Sequence, residues 1–211
     1  MIATIFGATG TVGKELVKNC KTKGYTVRAF GRNVESMIDE DLRDDNFEAV
    51  KGYVFDAGDV LKAVKGADFV LSALGGDIAG SDKTRSLGIK NIVAQMQKAN
   101  VKRIVAVGGM GILDSDEGTM LMDKPDFPSE YLAVSMEHLE AFKYLKASNL
   151  DWTMVCPPNI LDKEADGHFT TKANFPVNGN EINAGNLALF MVDESTQKIY
   201  LHEKVGIANI S

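Results

Sequence analysis

The chain opens with an apolar run of strand length that leads directly into a glycine-rich turn. The run covers Ile2–Phe6, glycines follow at positions 7, 10 and 13, and a helical pattern begins there. In such a unit the first glycine permits a tight turn, the second lets backbone approach a pyrophosphate, and the third lets helix and strand pack closely. The helix would direct its free N–H groups and positive dipole end at the phosphates. Against a merely structural turn, we favour a nucleotide site that contains Gly7, Thr9, Gly10, Thr11, Val12 and Gly13.

Apolar runs of strand length alternate with helical patterns through most of the chain, which is typical of a parallel sheet with crossover helices. We therefore predict one Rossmann-like α/β domain over residues 1–211, with a doubly wound sheet and a ligand crevice at the carboxyl ends of its strands. The predicted strands are Ile2–Phe6, Thr26–Phe30, Phe47–Phe55, Phe69–Ala73, Arg103–Val107 and Trp152–Cys156. The predicted helices are Thr11–Lys21, a short one near Val34–Met37, Gly58–Val64, Asp82–Ala99, Ser129–Ala147 and Ala184–Val192.

Composition and charge exclude several classes of partner. A formal net charge of −6 over 211 residues leaves no basic excess for nucleic acid or an anionic membrane surface. No apolar run approaches the ~20 residues that span a bilayer. A first strand at Ile2 leaves no room for a signal peptide, and two cysteines, Cys20 and Cys156, fit a reducing compartment. We expect a cytoplasmic protein, a monomer or a homodimer, that acts on a small molecule.

Two segments are expected to close the crevice. Residues Met110–Pro128 follow a strand end and are long, acidic and rich in methionine, so they form a candidate lid. Residues 157–211 mix loops, short strands and one helical segment, and we expect them to pack on the substrate side.

Several motifs resemble the atypical short-chain dehydrogenase/reductase superfamily. They are the Gly7–Gly13 turn, Gly31-Arg32-Asn33, Val54-Phe55-Asp56, Val107-Gly108-Gly109 and the stretch Leu150–Pro158. Within it, the chain is similar to the small NAD(P)H-binding proteins grouped with NmrA-like proteins and with biliverdin reductase B, a flavin reductase. The resemblance covers nearly the whole chain and implies a Rossmann-like fold and a nicotinamide cofactor. It says little about the substrate.

The residue after the second strand bears on the choice of cofactor. An NAD site typically has an acidic residue at this position, which accepts hydrogen bonds from the ribose. This chain has Arg32 and no acidic residue there. A guanidinium can hold a 2′-phosphate bidentately. We therefore favour NADP (as NADPH) over NAD; the alternative is a solvated surface arginine.

Further cofactor contacts are expected where other strands end. By the resemblance, Asp56 hydrogen-bonds the adenine amino group, although it could equally cap the next helix. The glycines of Ala73-Leu74-Gly75-Gly76 would let backbone pass close to the cofactor, or would form a plain turn. By the resemblance, Pro157 borders the nicotinamide, and Gly108 after the fifth strand is also expected to bind the cofactor.

The proton-transfer residues of the familiar reductases are missing. Those enzymes need Tyr-x-x-x-Lys on the helix after the fifth strand, but Tyr131 is followed four residues later by Ser135. A helical stripe remains, and His138 on it could donate a proton or bind a ligand carboxylate. The alternative for His138 is a buried ring satisfied by a backbone carbonyl. No metal site is expected. The stripe comprises Tyr131, Ser135, His138, Phe142 and Leu145.

These features predict an NADPH-dependent oxidoreductase that transfers hydride to a planar acceptor such as a flavin or a quinone. That reaction needs little acid catalysis from the protein, because the cofactor supplies the hydride. An apolar acceptor pocket could be formed by Leu74, Met110, Met122, Phe127 and Pro158. The alternative is a non-catalytic NAD(P)-sensing regulatory protein of the NmrA-like type. An extended-type sugar epimerase is set aside, since it needs the Tyr–Lys pair.

Overall fold

The computed structural model describes residues 1–34, 45–115 and 118–210, along which strands and helices alternate. Three short 3-10 turns, Met110–Ile112, Leu121–Asp123 and Ser129–Tyr131, lie in the long connection before the fourth helix. The strands are β1 Ile2–Phe6, β2 Thr26–Gly31, β3 Phe47–Lys51, β4 Phe69–Ser72, β5 Arg103–Val107, β6 Asp151–Cys156, β7 Asn159–Leu161, β8 Phe169–Ala173, β9 Glu181–Asn183 and β10 Glu203–Asn209. The helices are α1 Thr11–Thr22, α2 Ala57–Val64, α3 Thr84–Lys98, α4 Leu132–Lys146 and α5 Ala184–Gln197.

Eight of these strands form one sheet in the order β3-β2-β1-β4-β5-β6-β10-β8. Strand β8 runs antiparallel to β10, and the other neighbours are parallel. Strands β2 and β3 are added on one side of β1, and β4, β5 and β6 are then added on the other side. The strand order therefore reverses between β1 and β4, the point at which doubly wound sheets bind ligands. The predicted Rossmann-like single α/β domain is confirmed.

The sheet has a core on each face, because successive side chains of a strand point to opposite sides. Ile5 packs in a cluster with Leu16 of α1 and Leu187 of α5. Its neighbour Phe6 packs in a second cluster with Ile89 of α3. Both faces are covered by helices, which explains why the strands read as continuous apolar runs.

Some element boundaries differ from those expected from the sequence. Strand β3 ends at Lys51, not at Phe55, because the chain turns there and the Tyr53 N–H donates to Asp59 (2.9 Å) instead of to a strand. The helix from Ser129 starts as a 3-10 turn. The helix near Val34–Met37 falls largely outside the described residues, as do residues 116 and 117 of the lid candidate.

The helix expected to begin at Asp82 begins at Thr84. The Asp82 carboxylate accepts a hydrogen bond from the Thr84 N–H at 3.1 Å, so it caps the helix from outside. In the described ranges, no helix has the length and apolar character that crossing a membrane requires.

Candidate cofactor and acceptor crevice

A large crevice opens at the carboxyl ends of the parallel strands, over the switch point between β1 and β4. Its volume is about 1420 Å³, more than the ~300–1,000 Å³ of ordinary small-molecule sites. A dinucleotide and a second molecule can share such a space. Of the predicted site residues, Gly13 and Asp56 lie outside the wall of the crevice. Those that line it are Gly7, Thr9, Gly10, Thr11, Val12, Arg32, Ala73, Leu74, Gly75, Gly108, Tyr131, His138 and Pro157.

The three glycines of the first turn have different environments. Gly7 has a φ of +77°, and a β-carbon there would lie 2.3 Å from the Ala73 carbonyl oxygen. A β-carbon on Gly13 would lie 2.0 Å from the Gly7 carbonyl oxygen, so this glycine lets α1 pack against the turn. At Gly10 the nearest atom would be 3.5 Å away, and the residue faces the crevice. Backbone is therefore open to a ligand at Gly10.

The first turn of α1 is prepared for an anion. Its N-cap residue, Gly10, provides no side-chain cap, and the turn contains no acidic residue. The N–H groups at this end are left for a ligand, and the helix dipole places partial positive charge beside them. Thr11 and Val12 line the crevice here. The turn thus fits the pyrophosphate of a dinucleotide.

Arg32 lies at the rim of the crevice, directly after β2. Its side chain is exposed, and none of the ion pairs in the described part of the chain involves it. This is the place where doubly wound folds recognise the ribose next to adenine. Among the described residues, the guanidinium has no ion-pair partner that it must give up before it can hold a 2′-phosphate.

Asp56 is the N-cap of α2, and its carboxylate accepts a hydrogen bond from the Asp59 N–H at 2.8 Å. The predicted capping role of Asp56 is thus observed, and it is compatible with a contact to adenine. The wall beside it is formed by residues 52–55, in which the rings of Tyr53 and Phe55 meet edge to face at 5.3 Å. Both rings are partly exposed and could pack against an adenine ring.

The opposite half of the crevice follows the ends of β4, β5 and β6. A β-carbon on Gly75 would meet nothing within 4 Å, so backbone is accessible there, as at Gly10. Leu74 is held from behind by α3, where a β-carbon on Gly88 would lie 2.7 Å from its Cδ1. The peptide bonds before Pro157 and Pro158 are trans. Leu74, Gly75, Pro157 and Pro158 fit the nicotinamide end of a dinucleotide whose pyrophosphate is bound at Gly10.

The stripe on α4 meets the crevice at its polar end. Tyr131 is 49% exposed, whereas Ser135 is buried and His138 is only 7% exposed. His138 Nδ1 is the one enclosed side-chain nitrogen or oxygen in the described residues without a hydrogen-bond partner. The alternative of a ring satisfied by a backbone carbonyl therefore does not hold for this atom.

Burial lowers the pKa of His138 to about 3, and the nearby Arg85 guanidinium acts in the same direction against Glu137. The imidazole is consequently neutral near pH 7. It can hydrogen-bond a ligand, but it can neither supply a proton as an imidazolium nor attract a carboxylate by charge. Both charged roles considered for His138 from the sequence are unsuited to this environment.

The segment Met110–Pro128 borders the crevice through Met110, Leu121 and Phe127. Met122 does not join the expected apolar pocket, because its side chain is buried in the core below. The start of the segment is tied to β10. There, the buried Lys204 ammonium donates to the Ile112 carbonyl oxygen (2.7 Å) and to the Asp114 carboxylate. Any lid motion would thus be confined to the later part of the segment.

A loop that sequence reasoning missed covers one side of the crevice. The buried Glu137 carboxylate on α4 accepts hydrogen bonds from Lys83 Nζ (2.9 Å) and Ser86 Oγ (2.7 Å). These bonds outweigh the effect of burial and lower the pKa of Glu137. Arg85 donates to the carbonyl oxygens of Gly76 and Asp77. The crowding of Asp, Lys, Arg and Ser in residues 77–86 was the only available signal. Among the described residues, no group of His, Cys, Asp and Glu is arranged to hold a metal ion.

Fold and crevice together define a dinucleotide-binding protein with a Rossmann-like fold. The NAD(P)H-binding family profile matches residues 7–198, and the chain belongs to that family. The uncharacterized protein YwnB of Bacillus subtilis (strain 168) is 28% identical over 217 residues, which cover 97% of each protein. The predicted resemblance to a family of NAD(P)H-binding proteins is thus confirmed.

Two solved structures illustrate the likeness. A candidate exported protein from Burkholderia pseudomallei is 30% identical, with a TM-score of 0.85 over 99% of each chain. SP1627 of Streptococcus pneumoniae TIGR4, described as a candidate NADH-flavin reductase, is 24% identical, with a TM-score of 0.82 over 100% of each chain. At this identity the second similarity establishes the fold alone.

Proposed function

We propose that the protein is an NADPH-dependent reductase that passes a hydride to a planar acceptor such as a quinone or a flavin. The observation that carries the proposal is one continuous crevice. It runs from the phosphate-binding turn at Gly10, past Gly75 and Pro157, to the side chains of Phe127 and His138. A pure dinucleotide sensor has no need of the space beyond the nicotinamide end.

When bound, the reduced cofactor supplies the hydride, so that NADPH, acceptor and one proton from solvent give NADP⁺ and the two-electron-reduced acceptor. The chain itself binds and orients. The turn at Gly10 holds the pyrophosphate, and Pro157 and Gly108 border the nicotinamide end. The apolar side chains of Leu74, Met110, Phe127 and Pro158 line the crevice and would keep water from a flat acceptor.

The preference for NADPH rests on Arg32. Its exposed guanidinium follows β2 at the end of the crevice where we expect the 2′-phosphate, and the Gly31–Asn33 turn contains no carboxylate that would repel that phosphate. Cytoplasmic location and the state of monomer or homodimer remain predictions from the sequence.

The decisive experiment mixes the purified protein with NADPH and a panel of quinones and flavins, and follows the loss of reduced-nicotinamide absorbance. Turnover with any planar acceptor, at a rate above that of a Gly10→Val control, supports the proposal. Tight NADPH binding in calorimetry without turnover of any acceptor would contradict it. That result would favour the sensing function instead.

A further inference from the structure

Two polar side chains of α4 reach the crevice beside two glycines. A β-carbon on Gly111 would lie 2.3 Å from Ser135 Oγ, and one on Gly109 would lie 2.6 Å from His138 Cδ2 and 3.2 Å from Nε2. The missing side chains therefore leave the hydroxyl and the Nε2 edge of the ring at the wall. Because the two residues are three positions apart on a helix, their side chains are neighbours.

The surroundings of His138 decide which ring nitrogen carries the proton. Nδ1 is enclosed and has no partner. A proton there would bury an unpaired N–H, which costs more than burying an unpaired lone pair. We therefore assign the proton to Nε2, on the edge beside Gly109. In this tautomer the ring presents a neutral donor next to the Ser135 hydroxyl.

The charges around this end of the crevice do not favour an anion. The Arg85 guanidinium is engaged by two backbone carbonyls, and Asp82 lies near it. Besides Arg32 at the cofactor end, two cations and three carboxylates line the crevice, namely Arg85, Lys124, Asp82, Asp126 and Asp162. Carboxylates outnumber cations among these five residues, so a phosphate or carboxylate on the acceptor would find no net positive charge there. An uncharged ring would meet Met110, Phe127 and Pro158.

We propose that the acceptor is an uncharged quinone, whose carbonyl oxygen accepts hydrogen bonds from the Ser135 hydroxyl and from His138 Nε2–H. This inference rests on the proposed reductase function and specifies its substrate class. It excludes acceptors that are recognised through a phosphate, such as FMN, or through carboxylates.

The test measures binding without turnover. The protein is saturated with NADP⁺, which cannot donate a hydride, and titrated in a calorimeter with 1,4-naphthoquinone, its 2-sulfonate, or FMN. We expect naphthoquinone to bind at least tenfold more tightly than either anion. Covalent capture of the quinone by thiols is not expected, because burial raises the pKa of both Cys20 and Cys156 to about 12.

Variants then test the two donors. Ser135→Ala and His138→Leu should each weaken naphthoquinone binding about fivefold, as for the loss of one neutral hydrogen bond. His138→Gln, which keeps an N–H donor, should recover part of the loss. The control Glu140→Gln, on the same helix but paired with Lys143 and outside the crevice wall, should change nothing. Unchanged NADP⁺ affinity shows that each variant is folded. In ¹⁵N NMR spectra, wild-type His138 should be protonated at Nε2, and that signal should shift on adding naphthoquinone.

Failure of this inference differs from failure of the proposed function. Equal or tighter binding of the sulfonate or FMN, or full naphthoquinone affinity in both donor variants, would overturn the quinone assignment. If FMN but not naphthoquinone then oxidises NADPH, the reductase function stands and this inference falls. If no acceptor oxidises NADPH, the reductase function itself is wrong.

Discussion

The α-carbon of Gly13 lies against the carbonyl oxygen of Gly7, so closely that a β-carbon there would be 2.0 Å from it. The contact joins the first turn of α1 to the end of β1. Gly10 lies between them in sequence, yet a β-carbon on it would approach nothing closer than 3.5 Å. The two glycines of this motif therefore have different roles. Gly13 allows α1 to pack closely against the turn, and Gly10 leaves its backbone open to a ligand.

Substitutions at these two glycines should separate stability from binding. Gly13→Ala should destabilise the protein by about 1–3 kcal/mol, because α1 must move off the turn. Gly10→Val should keep most of the stability and weaken NADPH binding at least tenfold, because its side chain occupies the phosphate position. Chemical denaturation and calorimetry measure the two effects. A Gly10→Val protein that is folded and binds NADPH normally would disprove the phosphate site.

Arg32→Ala should weaken NADPH binding by about 10–150-fold, since charge-assisted hydrogen bonds contribute ~1.5–3 kcal/mol. NADH affinity should stay the same, because NADH lacks the 2′-phosphate. Lys62→Ala removes an exposed cation of α2 and serves as the control for general electrostatic attraction. If wild-type protein binds NADH as tightly as NADPH, the preference for NADP is incorrect.

The fold could be predicted from the sequence because its signals are local. Continuous apolar runs, a strand–turn–helix glycine pattern and helical stripes place β1, α1 and the parallel sheet without knowledge of tertiary contacts. The acceptor end of the crevice could not be predicted in the same way. Its properties depend on contacts between distant segments, such as Glu137 with Lys83, and His138 with Gly109.

The charge state of His138 shows this limit most clearly. Its position on the helical stripe predicts that His138 is a possible proton donor, since an unperturbed histidine titrates near neutral pH. Its burial and its neighbour Arg85, which lie outside any sequence window, remove that role. Met122 is a similar case, because only the tertiary path of its segment shows that it points into the core.

Glu137→Gln should loosen residues 77–86, which comprise the loop before α3 and the first turn of that helix. The substitution keeps the shape of the side chain but removes the charge that holds Lys83 and strengthens the bond from Ser86. We expect faster amide hydrogen exchange across this loop and a stability loss of about 1–3 kcal/mol. Glu140→Gln, which removes a carboxylate of the same helix that is paired with Lys143 (2.6 Å), is the matched control. Identical amide hydrogen exchange in both variants would contradict the prediction that Glu137 holds residues 77–86 in place.

Tyr131→Phe tests whether Tyr131 is an essential acid. The change removes the hydroxyl and keeps the ring, which is half exposed at the crevice rim. Because no lysine follows at the fourth position to activate the phenol, turnover should fall by less than the ~100-fold typical of a lost general acid. A variant that binds NADPH normally but no longer reduces an acceptor of the wild type would show that Tyr131 does donate a proton.

The low pKa of His138 predicts a specific dependence of stability on pH. The pKa of His138 is about 3 in the folded protein and that of a free histidine is 6.5, so between these pH values the unfolded chain binds one more proton. Stability that is fully present above pH 6.5 is therefore lost as pH falls toward 3, by at most about 1.4 kcal/mol per pH unit from this residue. Arg85 and Glu137, the charges nearest the ring, remain ionised through most of that window. In His138→Gln, which cannot titrate, the free energy of unfolding should fall less steeply between pH 6 and pH 4. Denaturant unfolding at several pH values measures both slopes, and parallel curves for the two proteins would mean that His138 is not held neutral.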